Sequence, residues 1–144
     1  MKIRETAACL IWLSVCMTAG CSDIAKNTEL ANEKIVAERP ATLKTDAEAI
    51  CRESVSLDAT GMRKKYEATI MEISGTVTTI EEDKWWVAVD LAGPCPKDYR
   101  VECLFSENQR ALARQIKQNQ HVTFKGNAMP MSTAFTLHGC LLVQ

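Results

Sequence analysis

The chain has 144 residues, with 17 Lys and Arg against 18 Asp and Glu and a formal net charge of −1. That length accommodates one domain with a small core. The charge balance gives no electrostatic reason to bind a polyanion or an anionic membrane surface.

The N-terminus carries Lys2 and Arg4, then the largely apolar run Ala7 to Ala19 (AACLIWLSVCMTA), then Gly20 and Cys21. A basic start, a short apolar centre and small residues at the cut describe a secretory signal, too short for the roughly 20 apolar residues that span a bilayer. Thr18, Ala19 and Gly20 before Cys21 resemble the lipobox of bacterial lipoproteins, in which diacylglycerol is attached to the cysteine and cleavage frees its amine. Cys16 fits less well, because bulky Val15 would occupy the cleavage site. This reading divides the chain into a signal peptide (1–20), a tether (21–44) and a folded domain (45–144). It implies an extracytoplasmic protein held on a bacterial membrane by lipid, palmitate included, on Cys21. Ser22 after the cysteine favours the periplasmic face of the outer membrane if the host is Gram-negative. The processed chain keeps 15 Lys and Arg (17 less Lys2 and Arg4) and 17 Asp and Glu (18 less Glu5), a net charge near −2.

Residues 22–44 are rich in charge and alanine and contain no aromatic residue, which reads as a solvated tether with transient helix over Thr28 to Glu38. Thr45 and Glu48 form a capping box opening a short helix around Asp46 to Glu53. Gly61 suggests a break in the stretch that follows. From Ala68 the period becomes two: Met71, Ile73, Gly75 and Val77 share a face, and Ile80 rejoins it after a bulge. Gly75 in mid-strand suits a close backbone approach. Glu81 to Lys84 make a turn, and a second strand places Trp85, Val87, Val89 and Leu91 on one face. A loop marked by Gly93, Pro94 and Pro96 leads to a third strand with Val101, Cys103 and Phe105 together. Ser106 and Gln109 form a capping box for a helix with Leu112 and Ile116 on its apolar stripe. HVTFKGNAM and AFTLHGCLLV are two more strands, separated by PMST.

Three strands, a helix and two strands is the element order of the OB-fold. The fold class read from the sequence is therefore mainly β: a five-stranded OB-fold barrel with a helix between strands 3 and 4 and a short N-terminal helix. Tyr66, Gly75, Cys103, Phe105, Val122, Phe124, Gly126 and Cys140 resemble, place for place, the pattern of the tRNA_anti-like OB-fold family of bacterial secreted and lipid-anchored proteins. The likeness covers roughly Leu57 to Val143. Asn119 departs from the family's usual Gly, which is tolerable because Asn also enters the left-handed region at a helix end.

Once Cys9 and Cys16 leave with the signal, Cys51, Cys95, Cys103 and Cys140 remain for an oxidising compartment, which makes two disulfides the expectation and leaves three connectivities. No CxxC pair is present, so neither a thioredoxin-like site nor a zinc ribbon is indicated, and no cofactor or metal is expected. The family resemblance implies the pairing: strands 3 and 5 adjoin at barrel closure, joining Cys103 to Cys140 and leaving Cys51 for Cys95.

OB barrels bind across strands 2 and 3 with the loops joining strands 1 to 2 and 4 to 5. Those places are Trp85 to Leu91, Tyr99 to Phe105, Glu81 to Lys84 and Pro130 to Thr133. Trp86, Lys84 and Tyr99 are the candidate binding residues. Trp85 shares parity with Val87 and Val89 and reads as core, whereas Trp86 has the opposite parity of a surface anchor. The acidic Glu81, Glu82 and Asp83 beside the tryptophans, in a compartment poor in nucleic acid, argue against nucleic acid as a partner. His121 and His138 stand on strands with no nucleophile motif nearby, and Asp83 and Asp90 are two carboxylates among many, so no enzyme is indicated. The reading is a noncatalytic, lipid-anchored module that contacts an envelope protein or component. The alternative is a binder of a small ligand, saccharide or oligonucleotide on the same face.

Overall fold

The computed structural model describes residues 23–143; the signal segment, the lipobox and Cys21 lie outside the described residues. The elements are α1 (23–38), β1 (Leu43–Asp46), α2 (Ala47–Ser56), α3 (Ala59–Tyr66), β2 (Ile70–Glu82), β3 (Trp86–Leu91), β4 (Arg100–Ser106), a 3₁₀ turn (Glu107–Gln109) with α4 (Arg110–Ala113), β5 (His121–Pro130) and β6 (Ala134–Leu142).

β2, at 13 residues, is long enough to belong to both halves of a barrel. Its first half pairs antiparallel with β5 and, on the opposite edge, parallel with β1; its second half pairs antiparallel with β3. A bulge between Val77 and Thr79 marks the changeover. Strands β2, β3, β4, β6 and β5 run in that order, and the β2–β5 pairing closes the ring. β4 and β6 are parallel. This is the five-stranded OB topology, with β1 added at one edge.

Alternation along each strand fills the interior. Ile73, Val77, Val89, Phe105, Phe124 and Leu137 are among the side chains that meet there. Phe105 and Phe124 pack edge to face with centroids 5.1 Å apart. Each such burial stabilises by about 1.5–3 kcal/mol. Ile80, expected back on this face beyond the bulge, pairs with Val89 as that places it but is 36% exposed, because β2 pairs there with β3 alone, its β5 pairing having ended at Thr76.

Two short helices close the barrel, and both are capped by aspartate. Asp46 accepts from Ala49 N–H and Asp58 from Gly61 N–H, each at 2.7 Å. The cap of α2 is therefore Asp46 rather than Thr45, which β1 incorporates. Gly61, read as a break, lies in the first turn of α3 as the donor to its cap. Ala47, Ile50 and Cys51 of α2 join the core. A methyl at Gly75 would stand 3.2 Å from the Cβ atoms of both Ala47 and Leu91, so the missing side chain is what lets α2 seat there. Disulfides join Cys51 to Cys95 and Cys103 to Cys140, the first tying α2 to the β3–β4 loop and the second linking adjacent β4 and β6.

Among the described residues, 23–44 do not form the solvated spacer expected of them. Residues 23–38 make a continuous helix with Glu29, Asn32 and Val36 buried, at the three- and four-residue spacing of one helical face, and β1 spans the 44/45 boundary proposed for the domain. Polar contacts, together with the buried Val36, hold α1. The Glu29 carboxylate accepts from Gly139 N–H at 3.0 Å and pairs with His138 Nδ1. Asn127 donates to Asn32 at 2.8 Å, and Ser106 and Gln109 donate to Glu33. Charge and alanine along α1 hid this docking, because the barrel supplies polar partners beside the buried Val36. Ser106 stands at the N-cap position of the 3₁₀ turn, but its hydroxyl is committed to Glu33 and makes no side-chain cap.

Candidate ligand face and tryptophan turn

On the outer surface of β3 and β4 the register sets Trp86 opposite Ser106, Ala88 opposite Leu104 and Asp90 opposite Glu102. Trp86, Ala88 and Asp90 are half-buried, while Val87, Val89 and Leu91 alternate inward. The face is apolar at its Trp86 end, where Ser106 on the neighbouring strand binds α1, and acidic at the other. There Arg100 Nε lies 3.1 Å from Glu102, and the Thr136 hydroxyl donates to the same carboxylate at 2.8 Å. Burial raises the pKa of Asp90, the cation of Arg100 lowers it, and the charges of Glu102 and Glu81 raise it.

Trp85 is not in the core. Asp83 N–H donates to the Trp86 carbonyl at 3.0 Å and closes the β2–β3 turn, so the strand begins at Trp86 and its parity never reaches Trp85. The Trp85 ring is half-buried between two ammonium groups, Lys84 Nζ at 4.6 Å and Lys26 Nζ, from α1, at 5.6 Å. Lys26 also pairs with Glu107 at 2.8 Å. Arg110 pins the turn by donating to the Lys84 carbonyl at 2.7 Å. Arg110 and Arg114 both grip Glu82 at 2.6 Å, and these two guanidinium groups, Arg114 first, hold its carboxyl down to about 2. Glu82 of the turn is thus answered by Arg110 and Arg114, which sequence adjacency does not reveal.

Tyr99 stands apart from Trp86 and Lys84, just before β4 starts, whereas Trp86 pairs with the strand's last residue. Its ring packs on the core, its Oη is buried without a partner, and burial raises its pKa. With Leu57, Met62, Met131 and Thr133 it lines a cleft of about 240 Å³. The three candidate residues therefore do not form one site: Trp86 and Lys84 lie at one end of the β3–β4 pair, and Tyr99 lies at the other end with its ring turned to the core. His138, read from the sequence as a plain strand residue, is the β6 contact that pairs with Glu29 of α1. Among the described residues, no group of three or more His, Cys, Asp and Glu side chains is placed to hold a metal ion.

The tRNA_anti-like family pattern matches residues 1–140 of the chain. No curated protein matches it. Solved structures that match include a protein of Klebsiella pneumoniae subsp. pneumoniae MGH 78578 to which the role of nucleic acid-binding lipoprotein has been ascribed. The two are 18% identical with a TM-score of 0.59, over 72% of this chain and 94% of that one. The family match and this neighbour overturn the sequence argument against nucleic acid as a partner. The acid beside the tryptophans and a compartment poor in nucleic acid had spoken against it, and of that acid Glu82 is paired with Arg110 and Arg114.

Proposed function

Because the chain belongs to the tRNA_anti-like family, we propose that it is a noncatalytic OB-fold binding module, held by lipid on Cys21 to the extracytoplasmic side of a bacterial membrane. Its ligand is a short single-stranded oligonucleotide on the outer face of β3 and β4. The observation that carries the reading is the outward Trp86 on the second barrel strand, with Ala88 and Leu104 beside it as an apolar floor. Aromatic platforms on this face stack bases irrespective of sequence. Asp90 and Glu102 on the same face oppose phosphates, so the bases supply the attraction and binding depends only slightly on salt.

The processed chain retains two tryptophans, Trp85 and Trp86, of the three in the sequence. Titration with oligothymidylate should quench their emission to saturation, at nearly the same affinity in low and moderate salt. Trp86→Ala should weaken binding about 5- to 150-fold, the worth of one stacked base. Absence of quenching at millimolar oligonucleotide, or an unaltered affinity in Trp86→Ala, would end the nucleic-acid reading. For the anchor, labelled palmitate should be lost in Cys21→Ser, and label that persists there would refute lipidation. A protein partner is the second reading, favoured by the exposed Met129 and Met131 at the β5–β6 turn, an adaptable apolar surface. Crosslinking in intact cells would identify such a partner.

A further inference from the structure

The docking of α1 sets how near the barrel stands to its anchor. Cys21 lies two residues before the start of α1 at Asp23, and two residues reach at most about 7 Å. The helical rise puts Lys26 about 4.5 Å further along. Lipid on Cys21, the reading on which this inference rests, therefore begins within about 12 Å of the Lys26 backbone.

Lys26 reaches the Trp85 ring, and on α1 two residues earlier Ile24 is 66% exposed. We propose that the Trp85 turn and the first turn of α1 form a second, noncovalent contact with the lipid bilayer surface. Trp85 enters the head-group region, Lys26 and Lys84 hold their ammonium groups over its ring at head-group depth, and Ile24 adds apolar area. Tryptophan concentrates at that depth because its ring is apolar and its indole N–H polar, and lysines reach outward from it in the same way.

The charges facing the contact are mixed. Lys26, Lys84, Arg110 and Arg114 meet Asp23, Glu82, Asp83 and Glu107, and Glu82 and Glu107 are ion-paired. The contact accordingly does not require anionic lipid. The barrel stands with its β2–β3 turn toward the membrane, and β3, six residues long, carries Asp90 and the far end of the ligand face away from it. The ligand face stays open at the side.

The test uses the full chain expressed in bacteria, extracted from membranes and reconstituted into phosphatidylcholine vesicles whose acyl chains are brominated near the head group. In Trp86→Phe, Trp85 is the sole emitter of the processed chain. At least half of its emission should be lost to bromine, and aqueous iodide should quench it less in vesicles than in detergent. In Trp85→Phe the remaining Trp86 emission should respond to bromine less than the wild type does, which answers the same question should the first variant fold poorly. A lipidated chain whose Trp85 emission ignores bromine overturns the contact and leaves the anchor intact. A chain whose intact mass shows no lipid on Cys21 overturns the anchoring reading and the contact with it.

Discussion

Gly139→Ala should undock α1 while leaving the barrel folded. Gly139 has φ +62°, in the left-handed region, and a methyl there would stand 2.8 Å from Asn32 Cβ and closer still to the backbone of Asn32 and Glu33. Alanine in that conformation costs about 1–2 kcal/mol. The steric conflict is with helix backbone, so α1 must move, and moving it parts the Glu29 carboxylate from Gly139 N–H at 3.0 Å. A hydrogen bond to a charged group is worth about 1.5–3 kcal/mol, so the helix loses about 2.5–5 kcal/mol of docking free energy in all. Val36, though buried, is not part of the barrel's core cluster, so release of α1 opens no cavity inside the barrel. Amide hydrogen exchange should show protection over 27–36 falling about a hundredfold to a few thousandfold, with β2 and β5 amides unchanged. The reasoning fails if α1 keeps its protection, or if β2 loses protection to the same extent, which would make α1 integral to the core. With α1 released, quenching of Trp85 by brominated lipid should fall as well.

Replacing both Cys103 and Cys140 by alanine opens a cross-link of sequence separation 37 and should lower stability by about 4 kcal/mol on chain entropy; a urea midpoint that barely moves would contradict it. Glu82 should titrate near pH 2 by carboxyl-detected NMR. Its folded pKa lies below the ordinary 4.5, so the clamp's contribution is fully present above about pH 4.5 and is lost as pH falls through about 2; a midpoint near 4.5 would mean that Arg114 and Arg110 do not hold it. Trp85→Ala should shift the melting temperature by only a few degrees, whereas Phe105→Ala should cost about 3–5 kcal/mol; equal damage from the two would put Trp85 back in the core.

The barrel was legible because its strands bury one face: Met71, Ile73 and Val77, then Val87 and Val89, then Val101 and Phe105 alternate as plainly in the sequence as in the sheet. The bulge after Val77 and the left-handed Asn119 were legible for the same local reasons. Docking of α1 was not, because its contacts join Glu29, Asn32 and Glu33 to residues more than 70 positions away, and polar side chains on a helix look solvated until their partners are in view. α3 was missed because a glycine near a helix start looks like a break unless the preceding aspartate is recognised as its cap. Trp85 was misplaced by extending strand parity one residue into a turn, whose boundary is set by the Asp83–Trp86 hydrogen bond. The balance of charge around the tryptophans depended on α1 and α4, neither adjacent to them in sequence.

The central claim is that the outer face of β3 and β4 holds an oligonucleotide through its bases. Nitrogen-15 NMR of the labelled chain titrated with oligothymidylate tests it most directly. The account predicts progressive shifts at the Trp86 indole and at the amides of Trp86, Ala88 and Leu104, with little change around His121 on the β2–β5 side. Shifts confined to that side, or none at any concentration reached, would contradict it.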